Sequence, residues 1–136
     1  MQLNTHLSFN GQCEEAFKFY HQCLGGNIQM MLRHGDSPMA DQVPSEWRDK
    51  ILHATLIVGE TALLGADAPP DHYQKPAGFS VTIQITDPAD AERIFCSLSE
   101  SGTVTMPLQQ TFWATRFGMV VDRFGIPWMV NCGQGA

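Results

Sequence analysis

The sequence predicts an α+β fold built from two βαβββ modules. Three observations carry that expectation. A run of alternating apolar and polar residues leads into a stretch of helical periodicity, first at the start of the chain and again near residue 79. Strand-like segments broken by Gly and Pro follow each helix. The two halves, 1–66 and 78–136, are nearly equal in length, with the Pro-rich polar linker 67–77 (DAPPDHYQKPA) between them. A repeat on that scale points to paired modules.

The elements follow in order. Leu3, Thr5, Leu7 and Phe9 alternate with Asn4, His6, Ser8 and Asn10, a strand with one apolar and one polar face. Ala16, Phe17, Tyr20, Cys23 and Leu24 then recur at helical spacing, with Glu14, Glu15, Lys18 and His21 opposite. Gly25-Gly26 ends this helix, since glycine accepts the left-handed conformation of a C-cap. Residues 27–33 read as a strand. Residues 34–50 read as a long loop with one helical turn near 45–49. Residues 51–58 and 61–66 form a hairpin about Gly59-Glu60.

In the second half, Phe79, Val81, Ile83 and Ile85 alternate with Ser80, Thr82 and Gln84. Asp87 suits an N-cap, Pro88 the first helical position, and Asp90 the positive end of the helix dipole. Ala91, Ile94, Phe95 and Leu98 form the apolar stripe, and Gly102 closes the helix. Strands near 104–109, 115–121 and 126–131 complete the module, the last two joined by a turn at Asp122-Arg-Phe-Gly125. One helix and four strands cannot cover both faces of a sheet. Paired edge to edge, the modules give a curved mixed sheet with helices outside and a central cleft inside.

Composition narrows the function. Hydrophobic residues make up 43% of the chain, so it can bury a core without disulfides or a structural metal. With Lys+Arg 8 against Asp+Glu 14, the net charge is −6 and no basic cluster exists, which argues against nucleic acid or an anionic membrane as partner. No apolar run approaches the roughly 18 residues of a membrane span. The opening Met-Gln-Leu-Asn-Thr-His lacks the features of a signal peptide, so a cytoplasmic protein is expected. The four cysteines form no Cys-x-x-Cys pair. Cys13 lies near a helix start, where the dipole would lower a thiol pKa. No histidine is tied to it, and it reads as a packing or inert thiol.

His6, Ser8, His53, Thr55, Ser80, Thr82 and Gln84 fall on polar strand faces and should point into the cleft. Each reads equally as a hydrogen-bonded filler, because buried polar groups need partners in any case. Phe112, Trp113, Arg116 and Trp128 form an aromatic group with one cation that would suit a small planar or anionic ligand. Core packing plus a surface ion pair is the plainer account. Trp128 shares the parity of Ile126 and Val130 and should pack under a helix. Asp122 and Gly125 read as turn formers.

Residues 7–20 (LSFNGQCEEAFKFY), His53-Ala54, residues 106–114 (MPLQQTFWA), Phe117-Gly118 and residues 122–129 (DRFGIPWM) resemble the PhnB-like branch of the vicinal oxygen chelate superfamily, which also holds glyoxalase I, extradiol dioxygenases, and fosfomycin and bleomycin resistance proteins. The resemblance covers nearly the whole chain and implies the same paired-module fold and a homodimer. One name of the branch refers to a ubiquinone-biosynthetic methyltransferase, yet no strand leads into a Gly-x-Gly loop that would seat a methyl donor. The superfamily's metalloenzymes carry four His/Glu ligands on inner strand faces. Carried over, these positions fall at Asn4 or His6, near Leu64, near Ser80 and at Met129. Leu64 and Met129 cannot replace carboxylates, so no metal and no other cofactor is expected.

The expectation is therefore a metal-free protein that binds a small organic molecule between its modules. The expected lining is His6, Ser8, His53, Thr55, Ser80, Gln84, Trp113, Arg116 and Met129. The alternative is a glyoxalase-related isomerase or lyase. It would use His53 or His6 as acid/base, with Arg116 as oxyanion partner. His53 is favoured because the resemblance marks the His-Ala dyad. A displaced metal site built on His6 and His53 ranks below both, and a purely structural, dimer-forming role is the third class.

Overall fold

The computed structural model describes residues 1–133. The chain divides into two compact units, the first spanning Met1–Gln74 and the second beginning at Lys75. The first unit contains β1 (Thr5–Phe9), α1 (Cys13–Leu24), β2 (Asn27–Arg33), β3 (Ile51–Val58) and β4 (Thr61–Asp67). The second contains β5 (Val81–Ile85), α2 (Pro88–Ser99), β6 (Thr103–Gln109), β7 (Arg116–Val121) and β8 (Pro127–Cys132). The order βαβββ thus occurs twice, as the sequence predicts.

Each unit has one four-stranded mixed sheet, ordered β1-β4-β3-β2 in the first and β5-β8-β7-β6 in the second. The first strand of each unit pairs parallel with its last, and the remaining pairs are antiparallel. Among the described residues no helix is long and apolar enough to cross a membrane.

In the first unit, α1 lies on the face that carries Leu7, Phe9, Ala54 and Leu56, all buried. Phe9, Phe17 and Tyr20 meet edge-on or tilted, with ring centroids 5.9 to 6.4 Å apart. Each such fully buried side chain is worth about 1.5–3 kcal/mol of transfer free energy. Gly65 is required by this packing, because a Cβ there would lie 2.5 Å from Phe17 Cε1. Gly26 (φ 81°) is held in the left-handed region, and a Cβ there would meet the Ile57 carbonyl oxygen. The buried Asp67 carboxylate ties three elements together. One oxygen accepts from the Cys13 amide that begins α1 (2.9 Å), the other from the Ile51 amide that begins β3 (2.8 Å).

In the second unit, α2 starts as read. Asp87 accepts a hydrogen bond from the Ala89 amide at 3.0 Å, Pro88 follows, and Ala91, Ile94, Phe95 and Leu98 are buried. Trp128 is 1% exposed on the helix side, with Ile126, Val130 and Cys132 also buried. Its Nε1–H donates to the buried Asp122 carboxylate at 2.8 Å. Asp122 also accepts from the Phe124 and Ile126 amides at 2.8 and 3.0 Å. One charge therefore closes the β7–β8 turn and fixes the core tryptophan.

Several expectations are corrected. Leu3 is 92% exposed and Thr5 is exposed, because β1 begins only at Thr5 and its burial starts at Leu7. Three short 3₁₀ turns, at His34–Asp36, Ala40–Gln42 and Ser45–Trp47, punctuate the stretch expected to hold one. The chain leaves α2 through Ser101 (φ 60°), not through a left-handed Gly102. Gly102 is needed for space instead, since a Cβ there would lie 2.5 Å from the Val121 carbonyl oxygen.

Two substitutions measure these constraints in equilibrium urea denaturation. Asp122→Ala strands three buried donors and is expected to cost about 3–5 kcal/mol, with Asp122→Asn costing less because it keeps an acceptor. Gly65→Ala drives a methyl group into Phe17 and is expected to cost about 1–3 kcal/mol.

Candidate functional site

With one helix per sheet, the opposite face of each sheet carries its own set of side chains. In the first unit, strand register places His6, Leu64, Thr55 and Met30 in one row across β1, β4, β3 and β2. Ser8 pairs with Ala66, and His53 pairs with Leu32, in the neighbouring row. His53 Nε2 and Thr55 Oγ1 are 3.3 Å apart, which sets both side chains on this helix-free face. Thr55 is 7% exposed. Four predicted residues, His6, Ser8, His53 and Thr55, thus share one face.

His6 stands on the edge strand and is exposed, yet its neighbours crowd the ring. Partial burial, first, and the nearby His53, second, lower its pKa below the ordinary histidine value, while a backbone hydrogen bond works the other way. The imidazole is therefore biased toward its neutral form, able to accept or donate a proton. The hydrogen-bond partner of His53 is a threonine hydroxyl, not a carboxylate.

In the second unit, Met106, Met119, Met129 and Thr82 form one row on the helix-free face. Gln109, Phe117, Asn131 and Gln84 form the next. The Asn131 amide donates to Gln84 Oε1 at 2.8 Å, and Asn131 Oδ1 is buried without a partner. Trp113 packs edge-on against Phe117 at 5.3 Å and against Phe112 at 4.8 Å. Phe112 is 90% exposed and Trp113 is 44% exposed, so the core-packing account of these two residues is corrected. Ser80 lies half-buried just before β5.

Gln84, Met129 and Trp113 are brought to this side, but Arg116 is not. Arg116 pairs with Cys132 on the helix side, donates to the Thr115 carbonyl at 2.9 Å and reaches Glu92 at 3.5 Å. The expected aromatic-and-cation group is therefore split, with Trp128 and Arg116 on one side and Trp113 on the other. Sequence reading missed Met106, Met119, Phe117 and Asn131. Within their strands Asn131 shares the parity of Met129, and Phe117 that of Met119, but only the register of three strands aligns them with Met106.

The positions that the resemblance assigns to metal ligands can now be placed. Leu64 is the partner of His6, and Met129 the partner of Thr82. A hydrocarbon and a thioether offer no hard donor to a divalent ion, so this set does not fit the superfamily's metal. Within neither unit do the described residues bring three His, Cys, Asp or Glu side chains together as a metal site.

Cys13 is fully buried, and burial first, then Asp67 and Glu14, push its thiol pKa well up, so the helix start does not make it a nucleophile. An open hollow of about 450 Å³ lies at the start of α1, away from the helix-free face of the first unit. Three of the charged groups that line it are engaged: Asp67 with two amides, Glu14 with Lys18 and Arg33, and Lys50 with the Gly11 carbonyl.

The family model described as 3-demethylubiquinone-9 3-methyltransferase matches residues 1–131. Protein YjdN of Escherichia coli K12 is 32% identical, over 96% of this chain and 95% of its own. The crystal structure of protein PA1353 from Pseudomonas aeruginosa is 50% identical, with a TM-score of 0.91 over 98% of each chain. A putative 3-demethylubiquinone-9 3-methyltransferase, PhnB protein, from Bacillus cereus is 21% identical, with a TM-score of 0.82 over 98% of this chain and 100% of its own. The same fold occurs in a glyoxalase/bleomycin resistance protein/dioxygenase family enzyme from Burkholderia phytofirmans, at 9% identity and a TM-score of 0.65 over 95% of each chain. The chain belongs to the PhnB-like family, the one described as 3-demethylubiquinone-9 3-methyltransferase, and has the glyoxalase/bleomycin resistance-like fold.

Proposed function

We propose that this protein binds a small organic molecule against the helix-free faces of its sheets, without a metal ion. The observation that carries the reading is the character of those faces. One holds polar side chains suited to orienting a ligand, His6, Ser8, His53 and Thr55, and the other holds a methionine row beside Phe117 and Trp113. Apolar and aromatic walls with few oriented polar groups are the usual make-up of a small-molecule site. Methionine, flexible and polarisable, adapts to varied ligand shapes. Leu64 and Met129 favour the metal-free form of the reading. Methyl transfer gains nothing from the family's description, since neither strand-to-helix junction, residues 10–12 or 86–87, carries a Gly-x-Gly loop.

A second reading is an isomerase or lyase that uses His6 or His53 as acid/base. The neighbouring imidazoles, with His6 biased toward its neutral form, support it. Arg116, turned to the helix side, drops out of its machinery. The two readings separate on His53→Ala. A binder keeps its chemistry-free behaviour, whereas the enzyme loses turnover while its fold persists.

Thermal melting against a metabolite collection tests the first reading. A true ligand at 100 times its Kd is expected to add about 2.7 kcal/mol and raise Tm by several degrees, equally with and without EDTA. A shift that EDTA abolishes contradicts the metal-free reading. The His6 environment is tested by pH. Because the fold lowers its pKa, the unfolded chain binds the proton more readily, and stability falls as pH drops through about 6.5. His6→Gln is expected to reduce that loss between pH 7.5 and 5.5 in urea denaturation, and an unchanged loss refutes the assignment.

A further inference from the structure

The net charge of −6 conceals an uneven distribution. In the first unit's strands only Arg33 and Asp67 are charged, and in the second unit's only Arg116. All three are turned to the helix side. Arg33 reaches Glu14 on α1 at 2.8 Å, Asp67 caps the Cys13 amide, and Arg116 reaches Glu92 on α2. The helix-free faces therefore carry no Lys, Arg, Asp or Glu from any strand.

On the second unit's face this neutrality meets a directional feature. Asn131 Oδ1 is a buried acceptor with no partner, in the row beside Met106, Met119 and Met129. A buried acceptor left unmatched is unfavourable, so it marks where a donor belongs. Phe117 and Trp113 stand edge-on to one another beside it, presenting aromatic surface to a flat molecule.

We infer that the second unit's helix-free face selects an uncharged, flat ligand with an N–H or O–H donor, seated on the Met106–Met119–Met129 row and bonded to Asn131. This rests on the proposed reading of the helix-free faces as the binding surface. An ionised carboxylate or phosphonate would lose its water against a face with no strand cation to replace it. A thioether row matches the polarisable π-system of an aromatic ring. A primary amide supplies the donor that Asn131 lacks, and a carboxylate of the same shape supplies only further acceptors.

The test uses matched probes on the full chain with ¹³C-labelled methionine methyls, in EDTA. The probes are benzamide, benzoate and N,N-dimethylbenzamide at millimolar concentration. Benzamide is expected to shift the methyl signals of Met106, Met119 and Met129 while leaving Met39 in place. Benzoate and the dimethyl amide should bind at least about tenfold more weakly. If benzoate shifts the same methyls as strongly as benzamide, the charge selection is wrong while the metal-free binding surface stands. If the dimethyl amide matches benzamide, the role of Asn131 is wrong. If no probe moves these methyls in EDTA but one does with added zinc or manganese, the underlying reading fails, and silence under both conditions overturns inference and reading alike.

Discussion

One helix cannot cover two faces of a sheet, and the rest of this structure follows from that shortage. Each unit places a single 12-residue helix on one side of four strands. The helix side becomes a conventional core of aromatic and aliphatic side chains, in which Gly65 clears space for Phe17 and Gly118 for Phe95. The other side is left to residues that the core does not need. A face freed from packing duty is where a fold of this kind can hold a binding site.

Charge is sorted along the same division. Asp67 and Asp122 are buried where they fasten amides and an indole, so both carboxylates stabilise the architecture and neither is left to grip a cation. Arg33 and Arg116 lean toward helix carboxylates. As partly exposed ion pairs they contribute little to stability. Their larger effect is to keep positive charge away from the faces that bear His53 and Met119. Chelation chemistry needs acidic and imidazole donors in convergence, and Leu64 and Met129 fill those positions with carbon and thioether. Family membership therefore fixes the scaffold here, while the chemistry follows from the side chains on it.

The sequence disclosed whatever is local. The start of α2 was readable because Asp87, Pro88 and the Ala89 amide are neighbours. The shared face of His6, Ser8, His53 and Thr55 was readable because strand parity has a period of two. What depends on distant contacts was hidden. Asp67 caps a helix 54 residues away, and no local pattern announces such a partner. The methionine row requires the registers of β6, β7 and β8 together, which is why those methionines look scattered in the chain. Arg116 was misgrouped with Trp113 because parity holds only within a strand, and Trp113 precedes β7 in an irregular stretch. Asp122 looked like a turn former and is one, but its bond to the Trp128 indole emerges only when the hairpin closes.

The most direct measurement of the central claim is a crystal structure of the protein purified without added ligand, with anomalous scattering recorded at transition-metal edges. The account predicts density for an uncharged organic molecule lying over Met119 and hydrogen-bonded to Asn131, with no anomalous peak beside it. A strong anomalous peak held by His6, His53 or any other nitrogen and oxygen donors of the helix-free faces would contradict it.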